Sequence, residues 1–208
     1  MNYKTEQEHF WAGEFGDQYI ERNAGARLVS GNMALFSRAL GRIPSPGSAI
    51  EFGANIGLNL RALEALFPSI ELTAVEINPT AVGQLRAWGG VAEIREGSLL
   101  DFAADRQWDL AFVKGVLIHI APIALPIAYD VIYRASRRWI LIAEYYNPTP
   151  VEVVYRGYSG RLFKRDFAGE MLERHAGLRV VDYGFVWKRD PAFPLDDVTW
   201  FLLEKVGA

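Results

Sequence analysis

The 208-residue sequence predicts an α/β fold with one sheet of seven strands. Five apolar segments of strand length alternate with segments of helical periodicity across residues 48–143. This alternation is typical of a parallel sheet that carries helices on both faces. Two further strand-like segments, residues 178–187 and 199–206, are joined by one loop near the end of the chain and are expected to form an antiparallel pair.

Helices are expected to precede the sheet and to cover one of its edges. Residues 4–22 begin with Thr5 and Glu8, whose spacing is that of a helix capping box. A second helical pattern covers residues 26–40 and ends before Gly41 and a proline-rich loop. The aromatic residues of the first helix recur at helical spacing: Phe10, Trp11, Phe15 and Tyr19. This aromatic face either packs on the domain or forms a cap over a ligand.

Each of the first five strands is predicted where a short apolar run meets a turn. These strands cover residues 48–52, 72–76, 91–95, 108–115 and 139–143. The fourth is almost wholly apolar past Asp109, as expected of a parallel strand that is buried on both faces. The intervening and following helices are predicted at residues 58–67, 78–88, 122–136 and 166–175. Asn78 and Pro79 suit the N-cap and first position of the second of these, and Pro126 marks a start or kink in the third.

Length and composition favour a single domain, with residues 1–45 as a helical cap and residues 46–208 as the core. Half of the residues are apolar and the net charge is −3, which argues against a protein that coats nucleic acid. The first residues carry no apolar signal core, and no apolar run approaches the roughly 20 residues of a membrane span. We therefore expect a cytoplasmic protein, a monomer or homodimer, without nucleic-acid or membrane partners.

Cysteine and histidine usage narrows the possible chemistry. The chain has no cysteine, which excludes disulfides, thiolate nucleophiles and cysteine-based zinc sites. Its three histidines are far apart in sequence and show no metal-binding spacing. No metal is therefore expected.

A glycine turn after the first strand indicates a cofactor that contains adenosine. Residues 51–57 read Glu-Phe-Gly-Ala-Asn-Ile-Gly, and Glu76 ends the next strand 23 residues after Gly53, close to the offset at which an acid meets ribose hydroxyls. The middle glycine of the dinucleotide fingerprint is absent, and Glu51 would repel a phosphate but suit an ammonium group. S-adenosyl-L-methionine fits this pattern better than a dinucleotide. The alternative is a plain strand–helix turn.

Other strand ends are expected beside the same ligand, because the carboxyl ends of parallel strands meet at one crevice. Ser98 and Leu99 follow the third strand and could flank an adenine ring, or form a turn before a short helix. Lys114 and Gly115 end the fourth strand.

The ordered motifs resemble those of class I S-adenosylmethionine-dependent methyltransferases. These motifs are residues 51–57, Val75-Glu76-Ile77, Gly97-Ser98 and residues 109–115. Residues 5–23, 144–148, 163–170 and 196–205 are similar to segments of the pseudaminic acid biosynthesis-associated methylase family. The resemblance covers nearly the whole chain. It implies a Rossmann-like, seven-stranded methyltransferase sheet whose last strand is antiparallel, under an N-terminal helical cap.

The resemblance also implies positions around S-adenosylmethionine. Gly53, Asn55 and Gly57 would line its methionine end, with Glu51 before them. Glu76 and Ile77 would meet the ribose, and Ser98 with Leu99 the adenine. Tyr19, Arg22 and Asn23 would close the cofactor from the N-terminal side. Arginine suits bidentate binding of a carboxylate, so Tyr19 and Arg22 are candidates for holding the methionine carboxylate.

The acceptor side offers candidates but no decisive motif. A base is needed only when the acceptor atom must lose a proton. The catalytic candidates are His119, Glu144 and Tyr146, and the substrate-binding candidates are Trp11, Tyr145, Tyr146, Asn147 and Tyr158. Structural roles remain open: His119 as a loop histidine, Glu144 as a cap or surface acid, and the tyrosines as core.

A run of basic and aromatic residues after the fifth strand suggests an anionic acceptor. It contains Tyr155, Arg156, Tyr158, Arg161, Lys164 and Arg165. Such a rim suits a sugar or a nucleotide-activated sugar, although a solvated surface is the simpler interpretation. A non-sugar heterocyclic metabolite as acceptor, or an adenosine-cofactor protein that methylates nothing, are the alternatives.

Overall fold

The computed structural model describes residues 3–23 and 25–207 and places seven α-helices and nine strands in them. The helices are α1 Glu6–Ala12, α2 Glu14–Arg22, α3 Ala26–Ala39, α4 Leu58–Leu66, α5 Pro79–Trp88, α6 Leu125–Ala135 and α7 Phe167–Arg174. The strands are β1 Ser48–Phe52, β2 Glu71–Glu76, β3 Glu93–Glu96, β4 Trp108–Lys114, β5 Ser136–Glu144, β6 Val151–Glu152, β7 Phe163–Lys164, β8 Leu178–Val186 and β9 Val198–Lys205. Among the described helices, none is both long and apolar enough to cross a membrane.

Seven strands form one mixed sheet in the order β3-β2-β1-β4-β5-β9-β8. The first five of these strands run parallel, whereas β9 lies antiparallel between β5 and β8. The predicted seven-stranded sheet with an antiparallel last strand is confirmed. The strand order reverses between β1 and β4, which is the position where open α/β sheets bind ligands.

Both faces of the sheet are buried at its central strands, as their apolar residues predict. Along β4, Leu110 and Phe112 belong to one core cluster, and Ala111 and Val113 belong to the other. Successive strand residues point to opposite faces, so a strand covered on both sides must be apolar at every position. The carboxyl ends of these strands are therefore held rigidly at one edge.

The N-terminal segment differs from the single helix predicted over residues 4–22. The structure has two helices, α1 and α2, and Gly13 separates them with an extended backbone. The predicted capping box is present: the Glu8 N–H donates to the Thr5 Oγ1 at 3.1 Å, and the Thr5 N–H donates to the Glu8 Oε2 at 2.7 Å. The glycine ends α1 because it pays more backbone entropy in a helix than other residues do.

Two short strands were not predicted. β6 and β7 pair antiparallel in the segment between β5 and α7, where the sequence indicates no strand. Each has two residues. Such short strands leave no periodic signal in a sequence and form only because the rest of the fold brings them together.

Candidate active site

A cavity of about 1050 Å³ opens at the carboxyl edge of the sheet. Its floor is made of residues that follow β1, β2, β3, β4 and β5, and its other walls come from α1, α2, α3 and the loop between β8 and β9. Ligand sites commonly measure about 300 to 1,000 Å³, so this cavity has room for two small molecules side by side.

The glycine turn after β1 depends on its glycines. Gly53 has φ 75° and Gly57 has φ 81°, in the left-handed region that suits glycine. A Cβ on Gly53 would lie 2.5 Å from the Cγ2 of Val116, and one on Gly57 would lie 2.8 Å from the Cδ2 of Leu85. Gly53 lines the cavity, whereas Gly57 begins α4 and lets that helix pack closely on α5.

Glu76 connects the glycine turn to the start of α5. Its Oε2 accepts the Asn55 N–H at 2.6 Å, and its Oε1 accepts the Asn78 N–H at 2.7 Å. Burial raises the pKa of Glu76, while these backbone hydrogen bonds act in the opposite direction. A carboxylate has about four lone-pair sites, so each oxygen can accept another donor from the cavity.

Glu51 lies behind the glycine turn and is fully buried. Its Oε1 accepts the Nδ2 of Asn59 at 2.6 Å, and its Oε2 has no hydrogen-bond partner among the described residues. Burial raises the pKa of Glu51 to about 8, although the Asn59 hydrogen bond and the charge of Lys114 oppose the rise. Asn59 separates Glu51 from the cavity, which Asn59 itself lines.

Lys114 lies at the end of β4 and lines the cavity. Within residues 3–23 and 25–207, no carboxylate lies within 4 Å of its ammonium group. Burial lowers the pKa of Lys114, and the more distant charges of Glu51, Asp196 and Glu144 oppose this. A partly buried ammonium group without a near counter-ion is suited to an anionic ligand.

Glu144 ends β5 and holds the loop after β4. Its Oε1 accepts the N–H groups of Val116 and Leu117, both at 2.9 Å. Burial raises its pKa to about 7, against these backbone hydrogen bonds. Glu144 does not line the cavity but orients the backbone that carries His119.

His119 faces the cavity in a defined protonation state. Its Nδ1 lies 2.6 Å from the carbonyl oxygen of Arg161, which can only accept, so Nδ1 carries the proton. The Nε2 of the neutral ring therefore has a free lone pair. Burial lowers the pKa of His119 to about 4, against the effect of the Arg161 hydrogen bond. The imidazole packs against Trp11 and Tyr155, with ring centroids 4.5 and 5.1 Å away.

Aromatic side chains make up much of the wall around His119. Trp11 and Tyr19 come from α1 and α2, with their ring centroids 5.2 Å apart. Tyr145 and Tyr155 come from the segment after β5, and all four residues line the cavity. Burial is the main cause that raises the pKa of Tyr19 to about 12, so its hydroxyl stays protonated at neutral pH.

Known proteins resemble this chain in structure but not detectably in sequence. No family model and no curated protein matches it. A methyltransferase from Leishmania major superposes with a TM-score of 0.70 and 15% identity, over 96% of this chain and 87% of that one. The 1,6-didemethyltoxoflavin-N1-methyltransferase of Burkholderia thailandensis gives 0.68 and 18%, over 96% and 87%. The magnesium protoporphyrin IX methyltransferase of Synechocystis, with bound S-adenosylhomocysteine, gives 0.68 and 13%, over 95% and 97%.

This chain has the methyltransferase fold. All three proteins are S-adenosylmethionine-dependent methyltransferases or were crystallised with that cofactor's product. At these identities the likeness concerns the fold alone. The expected class I architecture is thereby confirmed, and the similarity to the pseudaminic acid-associated family stays a prediction.

Most of the residues expected at the site line the cavity of this methyltransferase fold. They are Trp11, Tyr19, Asn23, Gly53, Asn55, Glu76, Ile77, Ser98, Leu99, Lys114, Gly115, His119, Tyr145 and Tyr146. The expected residues outside its walls are Arg22, Glu51, Gly57, Glu144, Asn147 and Tyr158.

Three of the residues outside the walls have other partners. The Arg22 guanidinium lies over the Phe15 ring, 5.3 Å from its centroid. The Asn147 Nδ2 donates to the carbonyl oxygen of Thr149 at 2.5 Å. Tyr158 packs against Phe10, with ring centroids 5.1 Å apart.

Several lining residues were not expected at the site from the sequence, among them Asn32, Asn59, Asn78 and Asp196. The sequence offered one indication for Asn32, which is a polar residue in the middle of a helix with an apolar stripe. In the structure its buried Oδ1 has no partner in the described part of the chain. Asn78 was recognised only as a helix cap, which it is. Asp196 comes from a long loop whose path the sequence does not reveal.

Proposed function

We propose that this protein is an S-adenosylmethionine-dependent methyltransferase that acts on a small molecule. The observation that carries the proposal is the crevice itself. A glycine turn and a buried strand-end acid, Glu76, meet there at the reversal point of a methyltransferase-type sheet. Neighbouring folds crystallised with S-adenosylmethionine or S-adenosylhomocysteine support the same cofactor.

The residues present fit each polar part of this cofactor. Glu76 has lone pairs left for ribose hydroxyls. The buried Oδ1 atoms of Asn32 and Asn59 have no partner among the described residues and suit an ammonium donor. Lys114 suits a carboxylate. Glu76 lines the cavity beside the glycine turn, where an acid suits hydroxyl groups rather than a pyrophosphate.

The cofactor supplies an electrophilic methyl group, so the chain's own task is mainly positioning. The aromatic wall of Trp11, Tyr19, Tyr145 and Tyr155 excludes water and orients the acceptor. The Nε2 of His119 is the group that can accept a proton from the attacking atom, because its ring is neutral and its Nδ1 is held. Tyr146 and Glu144 remain less direct candidates.

We propose a sugar or a nucleotide-activated sugar as the acceptor. Basic side chains at the cavity support an anionic molecule: Arg156, Lys164 and Lys188 all line it. The aromatic wall supports a second candidate, a planar heterocycle that stacks on it. One of the structural neighbours methylates such a compound, 1,6-didemethyltoxoflavin.

Calorimetric titration tests the cofactor. We expect S-adenosylhomocysteine to bind and NAD not to bind, and the reverse would remove the proposal. Glu76→Ala should weaken the binding of S-adenosylhomocysteine by about tenfold or more, because the two hydrogen bonds from the ribose hydroxyls to the carboxylate are lost. Glu173→Ala, on the exposed side of α7, is the matched control and should bind as the wild type does. Equal affinities for both variants would mean that the ribose lies elsewhere.

A mass-shift screen tests the acceptor. The protein, S-adenosylmethionine and a panel of free sugars, nucleotide-activated sugars and heterocycles are incubated together, and products heavier by one methyl group are identified. A methylated sugar compound supports the first candidate. A methyl group found only on heterocycles would replace it with the second.

A further inference from the structure

The cavity wall carries five basic side chains and four acidic ones, Glu8, Glu76, Asp196 and Asp197. Its basic side chains are Arg27, Lys114, Arg156, Lys164 and Lys188. Among the described residues, only Lys188 has a carboxylate within 4 Å, that of Asp197 at 3.4 Å. S-adenosylmethionine brings one carboxylate, together with an ammonium and a sulfonium. That carboxylate is assigned to Lys114, so Arg156 and Lys164, which have no carboxylate within 4 Å among the described residues, are available to an anionic part of the acceptor.

An exposed aromatic surface adjoins the cavity mouth. We call Tyr146, Tyr183, Phe185 and Phe201 the aromatic platform. Tyr183 stacks on Phe201 with ring centroids 5.9 Å apart, and Tyr146 lies 6.2 Å from Phe201. Tyr183 and Phe185 are 68% and 53% exposed, which is unusual for large apolar rings grouped on one surface.

The platform is continuous with the cavity. Tyr146 and Phe185 belong to both, because they line the cavity while remaining largely exposed. In the β8–β9 pair, Tyr183 lies opposite Phe201 and Phe185 opposite Thr199, so these side chains share one face of the sheet. That face leads from the edge strand β8 to Thr199, which lines the cavity.

Two lysines of the cavity wall, Lys164 and Lys188, are near residues of the platform in space or in sequence. The Lys164 ammonium lies 5.4 Å from the centroid of the Tyr145 ring, next to Tyr146. Lys188 follows Phe185 by three residues and lines the same wall. A ligand that leaves the cavity here meets positive charge first and exposed aromatic rings next.

We propose that the acceptor is linked to a nucleoside diphosphate, with the diphosphate at Lys164 and Lys188 and the base stacked on the aromatic platform. Lysine ammonium groups bind phosphates as point charges, and aromatic rings stack bases of any type. This inference rests on the proposed function and narrows it, because a free sugar would use neither feature. The group that receives the methyl then lies inside the cavity, beside His119.

Binding to the protein saturated with S-adenosylhomocysteine tests this inference. S-adenosylhomocysteine is titrated first, and if it fails to bind, the proposed function is lost. UDP, dTDP, CDP and GDP are titrated next, with inorganic pyrophosphate and uridine as partial probes. We expect at least one nucleoside diphosphate to bind about tenfold or more tightly than either partial probe, because only it engages both features. No such difference, with S-adenosylhomocysteine bound, would overturn the inference alone.

Four variants locate the bound nucleotide. Lys164→Gln and Tyr183→Ala should each weaken the nucleoside diphosphate by about fivefold or more. Arg189→Gln and Phe193→Ala are the controls, because they change a charge and a ring in the loop between β8 and β9 but outside the cavity walls. They should leave the affinity for the nucleoside diphosphate unchanged. Equal effects of all four would contradict the assignment. A second copy of the chain could cover the platform instead, and sedimentation tests this. If the protein binds no nucleotide but forms a dimer that Tyr183→Ala dissociates, the platform belongs to the dimer interface and the inference is wrong.

Discussion

At the scale of single residues, a change at Lys114 tests the binding of the cofactor separately from the binding of the acceptor. It is the basic residue nearest to the glycine turn in the sheet, because β4 pairs directly with β1. We expect Lys114→Met to weaken S-adenosylhomocysteine by about tenfold or more, through loss of its contact with the methionine carboxylate. The same change should leave 5′-methylthioadenosine, which lacks that carboxylate, nearly unaffected. Calorimetry with both ligands measures the difference.

A matched variant makes the Lys114 result specific. Lys188→Met removes another lysine of the cavity wall, one that already has Asp197 as a partner. It should show no difference between the two ligands. Loss of both ligands to the same degree in Lys114→Met would instead indicate a structural role for this side chain.

His119 permits a prediction about pH. As a base, it must be neutral, and burial lowers its pKa to about 4. The ratio kcat/KM should therefore rise with pH through about 4 and show no further rise from this group between pH 5 and 8. His119→Asn keeps a donor for the Arg161 carbonyl but removes the basic atom. We expect kcat to fall by about 100-fold or more, measured on the acceptor found by the screen.

Two results would correct this account. A kcat/KM inflection near pH 6.5 that disappears in His119→Asn would keep His119 as the base but contradict its lowered pKa, because it would mean that the imidazole is not desolvated during catalysis. The other is a full kcat in His119→Asn, which would leave proton removal to solvent or to Tyr146.

At the scale of elements, the side chain of Asn78 links the N-terminal helices to the start of α5. The Nδ2 of Asn78 donates to the carbonyl oxygen of Trp11 at 3.2 Å and to the Oδ1 of Asp17 at 3.0 Å. Its Oδ1 caps α5 by accepting the Ala81 N–H at 2.9 Å. Since α1 and α2 supply Trp11 and Tyr19 to the cavity wall, Asn78 couples the cap to the site.

Asn78→Asp separates these two tasks. Aspartate still caps α5, but it cannot donate to Trp11 and it repels Asp17. We expect faster hydrogen exchange across α2, residues 14–22, with little change in α5. The double variant Asn78→Asp, Asp17→Asn places the donor on the other partner and should restore slow exchange. Faster exchange in both helices of the single variant would show that the cap of α5 was lost as well.

The sequence predicts elements well where their signal is local. The central strands β1, β4 and β5 are largely apolar because both of their faces are buried, and the start of α5 follows from Asn78 and Pro79. The division of the first helix at Gly13 and the two-residue strands depend on contacts with distant segments. These contacts leave no periodicity in the sequence.

The site residues also divide into those that a local signal predicts and those placed by contacts between distant segments. Residues at strand ends, such as Glu76, Lys114 and Tyr145, were predictable because the carboxyl ends of parallel strands meet at one edge. Arg22 was expected at the cofactor, but the turn of α2 points its guanidinium to Phe15 instead. Asp196 reaches the cavity from a loop, and a loop's path depends on tertiary packing.

At the scale of the whole molecule, buried acids make stability depend on pH. Burial raises the pKa of Glu51 from 4.5 to about 8, so the folded protein keeps a proton that the unfolded chain releases. The free energy of unfolding therefore falls as pH rises from about 4.5 to about 8. Glu144, with a pKa raised to about 7, acts in the same direction.

Glu51→Gln should remove part of this dependence, because glutamine can still accept the Asn59 hydrogen bond without ionising. We expect the difference in Tm between the variant and the wild type to change with pH. It should be about 4 °C more in favour of the variant at pH 8 than at pH 5. Thermal unfolding followed by fluorescence measures this. Glu64→Gln, on the exposed side of α4, is the control and should shift Tm equally at both pH values. A constant difference for Glu51→Gln as well would mean that Glu51 is ionised in the folded protein.

The position of β9 has a consequence for how the chain folds. β9 is the last strand in sequence, yet it lies between β5 and β8 in the sheet. During synthesis β8 therefore has no neighbouring strand until residues 198–205 have left the ribosome. Until then the edge of β5 is open, and the rings of Tyr183 and Phe185 lack their sheet partners. Such exposed edges favour aggregation, so the nascent protein depends on rapid synthesis and pairing of β9.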